Sequence, residues 1–484
     1  MACRKSNGSS ISITRNAASA STNPTMTIAK LFKFDYLWHN QQWLSPAYVG
    51  LHSDGHILSI SETAPTSALA AEYVAGIAVP GFQNAHSHVF QYAMAGLAET
   101  HPAGVQDDFW TWREAMYQCA LSVDPDSLQA IATMLYTEML RHGYTHVAEF
   151  HYLHHDKNGK PYAHLAELGL RHLEAAKTSG IGITLIPVFY QQGGFNTAPQ
   201  PRQKRFISRT CEDYLKLLDA TKESVSHYSN ARLGYSVHSL RAVKTEDIKE
   251  TYNTIANRYP FHIHVAEQLK EVEDCLHSTN QRPVSWLLNN LPVNRNFHLV
   301  HATHLNDDEV KGIAKTKANV VLCPSTEGNL GDGIFRMRDY LAQNGNWSIG
   351  TDSHIGLNPL AEFRMIDYRQ RLLSHLRNTF DGDGAEQMYT TALLNGRAAM
   401  GLPTEPLAVK EPFNVVVYNR NSPLLQCTGK EKLWPTLVYA TDASHLAGTI
   451  VKGTWVVKEQ KHVYQGSILH NFKQAILSIK NRGI

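Results

Sequence analysis

The sequence predicts an α/β protein: a (β/α)8 TIM-like barrel with a small β-sandwich domain built from the N- and C-terminal segments. Two observations predict the barrel. Short β-rich runs alternate with helical segments through the middle of the chain, and polar residues recur at the ends of those runs. A third observation predicts the second domain, because both terminal segments hold short alternating β-rich runs separated by turns. The 484 residues are enough for both units.

The barrel prediction rests on eight β-rich runs. Helical stretches separate them, and this alternation indicates βαβ units around a parallel sheet. Eight units over roughly 320 residues match a (β/α)8 barrel, whose typical size is about 250 residues or more with insertions. The first run ends at His86, and the others span 145–150, 181–190, 233–238, 261–266, 297–302, 320–323 and 347–352.

Start and stop signals bound the intervening helices. The first follows Asp124-Pro125, opens on the capping pair Asp126-Ser127 and stops at Gly143. The later helices end before a glycine or begin with acidic residues in the first turn, which suits the helix dipole. The predicted helices span 126–142, 164–178, 245–258 and 306–317.

The chain divides into four predicted parts. Residues 1–26 are rich in Ser, Thr, Ala and Asn and lack acidic residues, so we expect a disordered or spurious extension. A transit peptide, or a true start at Met26, is the alternative for this stretch. Segments 27–79 and 405–466 form the small β-domain, 80–404 the barrel and 467–484 a C-terminal helix.

Composition excludes several classes of function. The chain has 45 basic and 43 acidic residues and no basic stripe, so we expect no nucleic-acid partner, and the basic segment 201–206 is expected to be a solvated loop. No apolar stretch approaches the roughly 20 residues that span a membrane. The six cysteines lack C-x-x-C spacing, which is typical of reduced thiols in a cytoplasmic enzyme.

Residues that can bind metal or move protons collect at the run ends. His86 and His88 are two apart on an extended segment, so both imidazoles point to the same side and can reach one ion. In a (β/α)8 barrel the C-terminal ends of the strands form the active site. The polar residues at these ends are His86, His88, Glu149, His151, Tyr152, His238, His264, Glu267, His301 and Asp352.

These motifs resemble the amidohydrolase superfamily and, within it, the formimidoylglutamate deiminase family. The resemblance covers about residues 27–466, and Gly328 stands where that family pattern leads us to expect alanine. Residues 1–26 have no counterpart. The matching segments are PGFQNAHSHVFQ at 80–91, DFWTWR at 108–113, EFHYLHH at 149–155, VHSLRAV at 237–243, HVAEQ at 264–268, STEGNLGDG at 325–333 and GTDSH at 350–354.

The resemblance implies one Zn²⁺ per subunit, and three imidazoles with one carboxylate suit it. Iron or manganese is the alternative metal. The fourth run ends in His238, without the lysine that bridges two ions in other members, which favours one metal. His262 shares a face with His264 but lies deeper, so we interpret it as structural. The implied ligands are His86, His88, His264 and Asp352.

The resemblance also implies hydrolytic deamination of N-formimidoyl-L-glutamate to N-formyl-L-glutamate and ammonia, in histidine degradation. Asp352 and His301 would take a proton from the attacking water, and Glu267 would protonate the leaving nitrogen. This small-molecule substrate carries two carboxylates, which guanidinium groups bind in a bidentate way. The implied substrate contacts are Arg113, Arg241, Gln91, Tyr152 and His238.

Two other interpretations remain open. A related deaminase or hydrolase acting on guanine or a triazine would have nearly the same metal site, but it would not need two arginines. A catalytically silent barrel acting as a scaffold would usually have lost metal ligands. The resemblance further implies a homodimer, with no membrane partner.

Overall fold

A computed structural model of the chain describes residues 27–67, 69–100, 104 and 107–481, so the predicted extension at 1–26 lies outside the described residues. The strands, in chain order, are β1 (Lys30–His39), β2 (Gln42–Leu44), β3 (Ala47–Leu51), β4 (Ile57–Ser61), β5 (Glu72–Pro80), β6 (Phe82–Ser87), β7 (Tyr144–His151), β8 (Gly182–Phe189), β9 (Ala231–Leu233), β10 (Tyr235–Val237), β11 (Phe261–Val265), β12 (Phe297–His301), β13 (Asn319–Leu322), β14 (Asn346–Ile349), β15 (Val415–Asn419), β16 (Leu446–Val451), β17 (Thr454–Lys458) and β18 (Lys461–His462).

Strands β6 to β14 form the predicted barrel. Their order is β6-β7-β8-β10-β11-β12-β13-β14 with β9 paired to β8, and the neighbouring strands are parallel. The chain after β14 returns to β6, because the backbone N–H groups of Thr351 and Asp352 donate to the His86 carbonyl at 3.0 Å. Gly350 permits this approach, since a Cβ there would lie 2.7 Å from His86 Cβ. The (β/α)8 prediction is confirmed, with a barrel that is nearly closed.

The terminal segments join in a second sheet, as predicted. Its order is β18-β17-β16-β15-β5-β1-β3-β4, with β2 paired to β1, and β15 from the C-terminal segment pairs with β5 from the N-terminal one. The pairing is antiparallel except between β1 and β5. Residues from both halves of this continuous sheet share one apolar core. Division of the chain at 79/80 and 404/405 stays a prediction.

The helices surround the barrel and link its strands. The helix cap lies two residues earlier than the predicted pair Asp126-Ser127, because Asp124 is the N-cap and accepts a hydrogen bond from the Ser127 N–H at 2.8 Å. The helices are α1 (Phe109–Ser122), α2 (Pro125–Arg141), α3 (Glu167–Ser179), α4 (Cys211–Ser226), α5 (Thr245–Ile255), α6 (Leu269–Thr279), α7 (Pro283–Asn290), α8 (Asp307–Thr316), α9 (Pro324–Leu330), α10 (Met337–Ala342), α11 (Pro359–Ser374), α12 (Gly384–Ala399), α13 (Pro423–Cys427), α14 (Leu433–Ala440) and α15 (Gln465–Lys480). Among the described residues, none of these helices combines the length and apolar character needed to cross a membrane.

The expectation of a solvated loop at 201–206 is wrong. Residues Pro201–Phe206 form a 3-10 turn, and the side chains of Gln203 and Arg205 are buried. Arg205 donates to the backbone carbonyls of Ala120 and Val123, so tertiary contacts satisfy its N–H groups in place of solvent. A basic segment is expected to be solvated only where its side chains lack such hydrogen-bond acceptors within the protein.

Candidate active site

The four implied metal ligands meet at the C-terminal end of the barrel. Nε2 of His86 lies 3.1 Å from Nε2 of His88 and 3.0 Å from Nε2 of His264. Oδ1 of Asp352 lies 3.5 Å from His86 Nε2 and 3.2 Å from His88 Nε2. Tetrahedral ligands about 2.0–2.1 Å from zinc stand about 3.3 Å from one another. The spacing therefore fits one metal ion held by these four side chains, which lie within 4.8 Å of one another.

Backbone carbonyls orient two of the imidazoles toward this centre. His88 Nδ1 lies 3.0 Å from the Phe150 carbonyl, and His264 Nδ1 lies 3.1 Å from the His238 carbonyl. Each carbonyl accepts an Nδ1–H, which leaves the Nε2 lone pair directed at the cluster. Burial lowers the pKa of His86 to about 3 and lowers the pKa of His264, so both are in the neutral form that binds a metal.

Glu149, at the end of β7, holds the segment that carries His86 and His88. Its Oε2 accepts a hydrogen bond from the Ser87 hydroxyl at 2.6 Å, and its Oε1 accepts one from the Val89 N–H at 2.8 Å. Burial raises the pKa of Glu149 to about 8. Glu149 therefore fixes the position of the segment that carries His86 and His88.

Five non-glycine residues at the same end of the barrel have left-handed backbone conformations. Ala266, His301, Ala302, Asp352 and His354 all have positive φ, between 47° and 68°. Such conformations cost of order 1–3 kcal/mol each outside glycine and persist where the surroundings impose them, often at active sites. None of these residues is a glycine, so the sequence carries no signal for this feature.

His301, at the end of β12, lies among carboxyl groups. Its Nε2 is 3.6 Å from Glu267 Oε1 and 3.8 Å from Asp352 Oδ2, and its Nδ1 is 3.6 Å from Glu327 Oε1. Burial lowers the pKa of His301, but these carboxylates outweigh burial and raise it to about 10. Asp332 is buried within 4.8 Å of Glu267 and His301. This group can hold and transfer protons beside the metal centre.

Two arginines form the opposite wall of the pocket. The Arg113 guanidinium lies 4.5 Å from the centre of the Trp110 ring, and that of Arg241 lies 5.7 Å from the Phe109 ring. Arg113 Nε and Arg241 Nη1 are buried without a hydrogen-bond partner. Within the described ranges, no carboxylate forms an ion pair with either guanidinium. Burial lowers the pKa of Arg241, but the nearby carboxylates of Glu271 and Glu267 outweigh burial and raise it. Neither carboxylate forms an ion pair with the guanidinium, so the unpartnered N–H groups of the two arginines can donate to an anion that enters the pocket.

One pocket brings most of the predicted site residues together. Gln91 donates to the Tyr152 hydroxyl at 2.9 Å, and Gln91 Oε1 is buried and unpartnered. His86 lies beneath the pocket, fully buried. The predicted residues that line it are His88, Gln91, Arg113, Tyr152, His238, Arg241, His264, Glu267, His301 and Asp352.

The sequence alone does not predict several lining residues, nor the two buried acidic residues Glu327 and Asp332. Tyr190 is recognisable, because it ends the predicted run at 181–190. Glu327 and Asp332 both lie within the matching segment STEGNLGDG, which is the signal that points to them. The additional lining residues are Phe109, Trp112, Met116, Tyr117, Tyr190, Phe206 and Leu330.

Two other strand histidines face away from the metal centre. His262 Nε2 lies 2.8 Å from the Ala399 carbonyl, deep in the barrel. His151 Nδ1 lies 3.1 Å from His172 Nε2 on α3, outside the barrel. Histidines at strand positions therefore divide into a metal-facing set and a packing set.

A parallel barrel with clustered histidines and an aspartate at its C-terminal end defines a class of hydrolases, and residues 77–456 match the model of the Amidohydrolase family. The chain belongs to that family. It is 40% identical over 439 residues to the formimidoylglutamate deiminase of Pseudomonas aeruginosa, a match that covers 90% of this chain and 96% of that protein.

Solved structures share the fold. The amidohydrolase from Brucella melitensis is 36% identical, with a TM-score of 0.87 over 93% of this chain and 100% of that chain. An adenosine deaminase from Xanthomonas campestris, solved with bound zinc, is 20% identical, with a TM-score of 0.77 over 93% of this chain and 98% of that chain. The second likeness concerns the fold alone.

Proposed function

We propose that this chain hydrolyses N-formimidoyl-L-glutamate to N-formyl-L-glutamate and ammonia. The main supporting observation is that two half-buried arginines, Arg113 and Arg241, each with a buried and unpartnered nitrogen, share one pocket with a metal-binding cluster. A neutral heterocycle such as guanine offers nothing to these two charges, whereas a substrate with two carboxylates does. The relative from Pseudomonas aeruginosa, named for formimidoylglutamate, supports the same substrate.

The proposed cofactor is one Zn²⁺ per subunit, held by His86, His88, His264 and Asp352. Three imidazoles and a carboxylate, with donor atoms 3.0–3.5 Å apart, fit a four-ligand zinc site better than sites for harder, all-oxygen ions. When bound, the metal supplies Lewis acidity, which lowers the pKa of a water toward about 7.

The residues around His301 would handle the protons. Asp352 would accept the proton of the attacking water, because its carboxylate is ionised, and His301, whose Nε2 lies 3.8 Å from Asp352 Oδ2, would orient that water as a donor. Glu267, 3.6 Å from His301, delivers a proton to the departing nitrogen. Water thus adds to the formimino carbon, the bond from that carbon to the terminal nitrogen breaks, and ammonia leaves.

The other wall would hold the substrate in place. Arg113 and Arg241 bind the carboxylates, while Gln91, Tyr152 and His238 add hydrogen bonds to the carboxylates or the formimino group. The free Oε1 of Gln91 is an acceptor that suits an N–H of the formimino group.

The test is product analysis with protein of known metal content. Incubation with N-formimidoyl-L-glutamate should release ammonia and N-formyl-L-glutamate in equal amounts, and a chelator should abolish release until zinc is restored. Metal-replete protein that releases no ammonia would contradict the proposed activity.

We also propose a cytoplasmic homodimer acting in histidine degradation. The free cysteines of the described residues suit a reducing compartment. Apolar side chains exposed on and just after α11, with Leu372 78% exposed, suit a face that a second copy covers. Light scattering should give a dimer that Leu372→Glu disrupts and that Leu477→Glu, a matched exposed leucine on α15, leaves intact. A monomeric wild type would refute the dimer.

A further inference from the structure

The buried turn at Pro201–Phe206 contributes a side chain behind the arginine wall. Gln203 is fully buried, and its Nε2 donates to the hydroxyl oxygens of Tyr117 and Tyr190, each at 3.0 Å. Its Oε1 accepts the backbone N–H of Gln200 at 2.7 Å. A backbone N–H can only donate, so this contact determines which end of the amide faces the tyrosines.

In this arrangement one of the two tyrosine O–H groups has no hydrogen-bond acceptor within the described part of the chain. Each phenol oxygen accepts from Gln203, so each O–H must donate elsewhere. The hydroxyls of Tyr117 and Tyr190 interact with each other, so one can donate to the other. The part of the chain that the structure describes offers no acceptor for the second O–H, and both rings line the pocket. Burial raises the pKa of Tyr190, which keeps its hydroxyl protonated.

The neighbours of this hydroxyl pair are also donors. The Arg113 guanidinium lies 5.6 Å from the centre of the Tyr117 ring. Burial, together with repulsion from Arg241, lowers the pKa of Arg113. Arg113 Nε and Arg241 Nη1 are buried without an acceptor. One of the two tyrosine hydroxyls also has no acceptor among the described residues. Donors without acceptors, two of them cationic, are complementary to a carboxylate.

We propose that Tyr117 and Tyr190, oriented by Gln203, complete with Arg113 and Arg241 a subsite that donates hydrogen bonds to one carboxylate of the substrate. This inference rests on the proposed function and names two further binding residues for it. Gln203 is a positioning residue, because it acts through the tyrosines. The subsite selects an acyclic acid over a neutral ring, since a neutral ring would leave the donors unsatisfied.

The test compares three substrates: N-formimidoyl-L-glutamate, N-formimidoyl-4-aminobutyrate, which lacks the α-carboxylate, and N-formimidoyl-L-2-aminobutyrate, which lacks the side-chain carboxylate. Tyr117→Phe, Tyr190→Phe and Gln203→Glu are assayed beside Tyr235→Phe. Tyr235 is a buried tyrosine whose hydroxyl donates to the Ala256 carbonyl at 2.9 Å, at the other end of the barrel.

At least one single phenylalanine variant should lose about tenfold or more in kcat/KM on the parent and on the one analogue that keeps the contacted carboxylate, and little on the other analogue. Gln203→Glu should lose activity on the same substrates, because a carboxylate there accepts both O–H groups and repels the substrate. Tyr235→Phe should match wild type. Equal losses on all three substrates, or no loss, would overturn the subsite.

Binding of glutarate separates this inference from the proposed reaction. Calorimetry on the zinc-loaded wild type and variants measures carboxylate recognition without turnover. Weaker glutarate binding by Gln203→Glu and by a phenylalanine variant supports the subsite even if the wild type releases no ammonia. Unchanged glutarate binding in all three variants would overturn it.

Discussion

Replacing Arg241 by glutamine removes one of the two positive charges proposed to hold the substrate carboxylates. Arg241 follows β10, and its guanidinium packs 5.7 Å from the Phe109 ring, with Nη1 buried and unpartnered. Glutamine keeps a polar group and part of the length. The substitution therefore removes the charge and its paired donors while it leaves most of the wall in place.

The size of the expected loss in kcat/KM follows from the burial of the Arg241 Nη1 atom. Removing one partner of a buried, hydrogen-bonded charge pair costs about 2–5 kcal/mol. Because Arg113 remains on the same wall, we take the lower part of that range. A cost of about 2–4 kcal/mol corresponds to a loss of about 30- to 700-fold in kcat/KM.

The assay is initial-rate ammonia release from N-formimidoyl-L-glutamate, with equal metal content in every sample. Arg209→Gln is the matched control, because Arg209 is exposed and lies outside the pocket. Arg241→Gln with kinetics like those of wild type would refute the assignment of this guanidinium to substrate binding.

Three further results are expected. His264→Gln should lose its metal by elemental analysis while His262→Gln keeps it, because the Nε2–H of His262 donates to the Ala399 carbonyl, away from the metal cluster. Equal metal content in both variants would contradict the ligand set. Glu267→Gln should lower kcat by about 10²- to 10⁴-fold with little change in KM, and an unchanged kcat would exclude it as a proton carrier. Burial raises the pKa of Glu362 from 4.5 to about 7. Between pH 4.5 and about pH 7 the folded protein therefore binds more protons than the unfolded protein, so its free energy of unfolding falls as the pH rises through this range. Urea unfolding at pH 5 and pH 8 should show this decline, of up to about 3 kcal/mol, reduced in Glu362→Gln, and an identical decline in both proteins would refute the cause.

Alternating runs and helix signals were enough to predict the barrel, because the runs are short and apolar and helical stretches, some with a capping residue, separate them. Asp124 illustrates this, since a local hydrogen bond to the Ser127 N–H starts α2 whatever the tertiary surroundings. The sequence predicts that the two terminal segments form one β-domain, but it does not predict that β5 pairs with β15, because strand partners distant in sequence leave no local pattern.

In the candidate site, too, the features that depend on neighbouring residues could be predicted, and those that depend on distant residues could not. The spacing of His86 and His88 places two imidazoles on one side of an extended segment, and the structure brings them within 3.1 Å. Gln203 was not predicted, because its role depends on Tyr117 and Tyr190, which reach it from other parts of the chain. The basic residues around Gln203 suggested solvent, whereas buried carbonyl partners satisfy Arg205.

The most direct test of the central proposal is substrate selection by one zinc-loaded preparation. Ammonia release is measured from N-formimidoyl-L-glutamate, guanine and 5-methylthioadenosine at matched concentrations. The pocket with Arg113 and Arg241 predicts release from N-formimidoyl-L-glutamate and none from the two neutral heterocycles. Release from a heterocycle, with none from N-formimidoyl-L-glutamate, would contradict it.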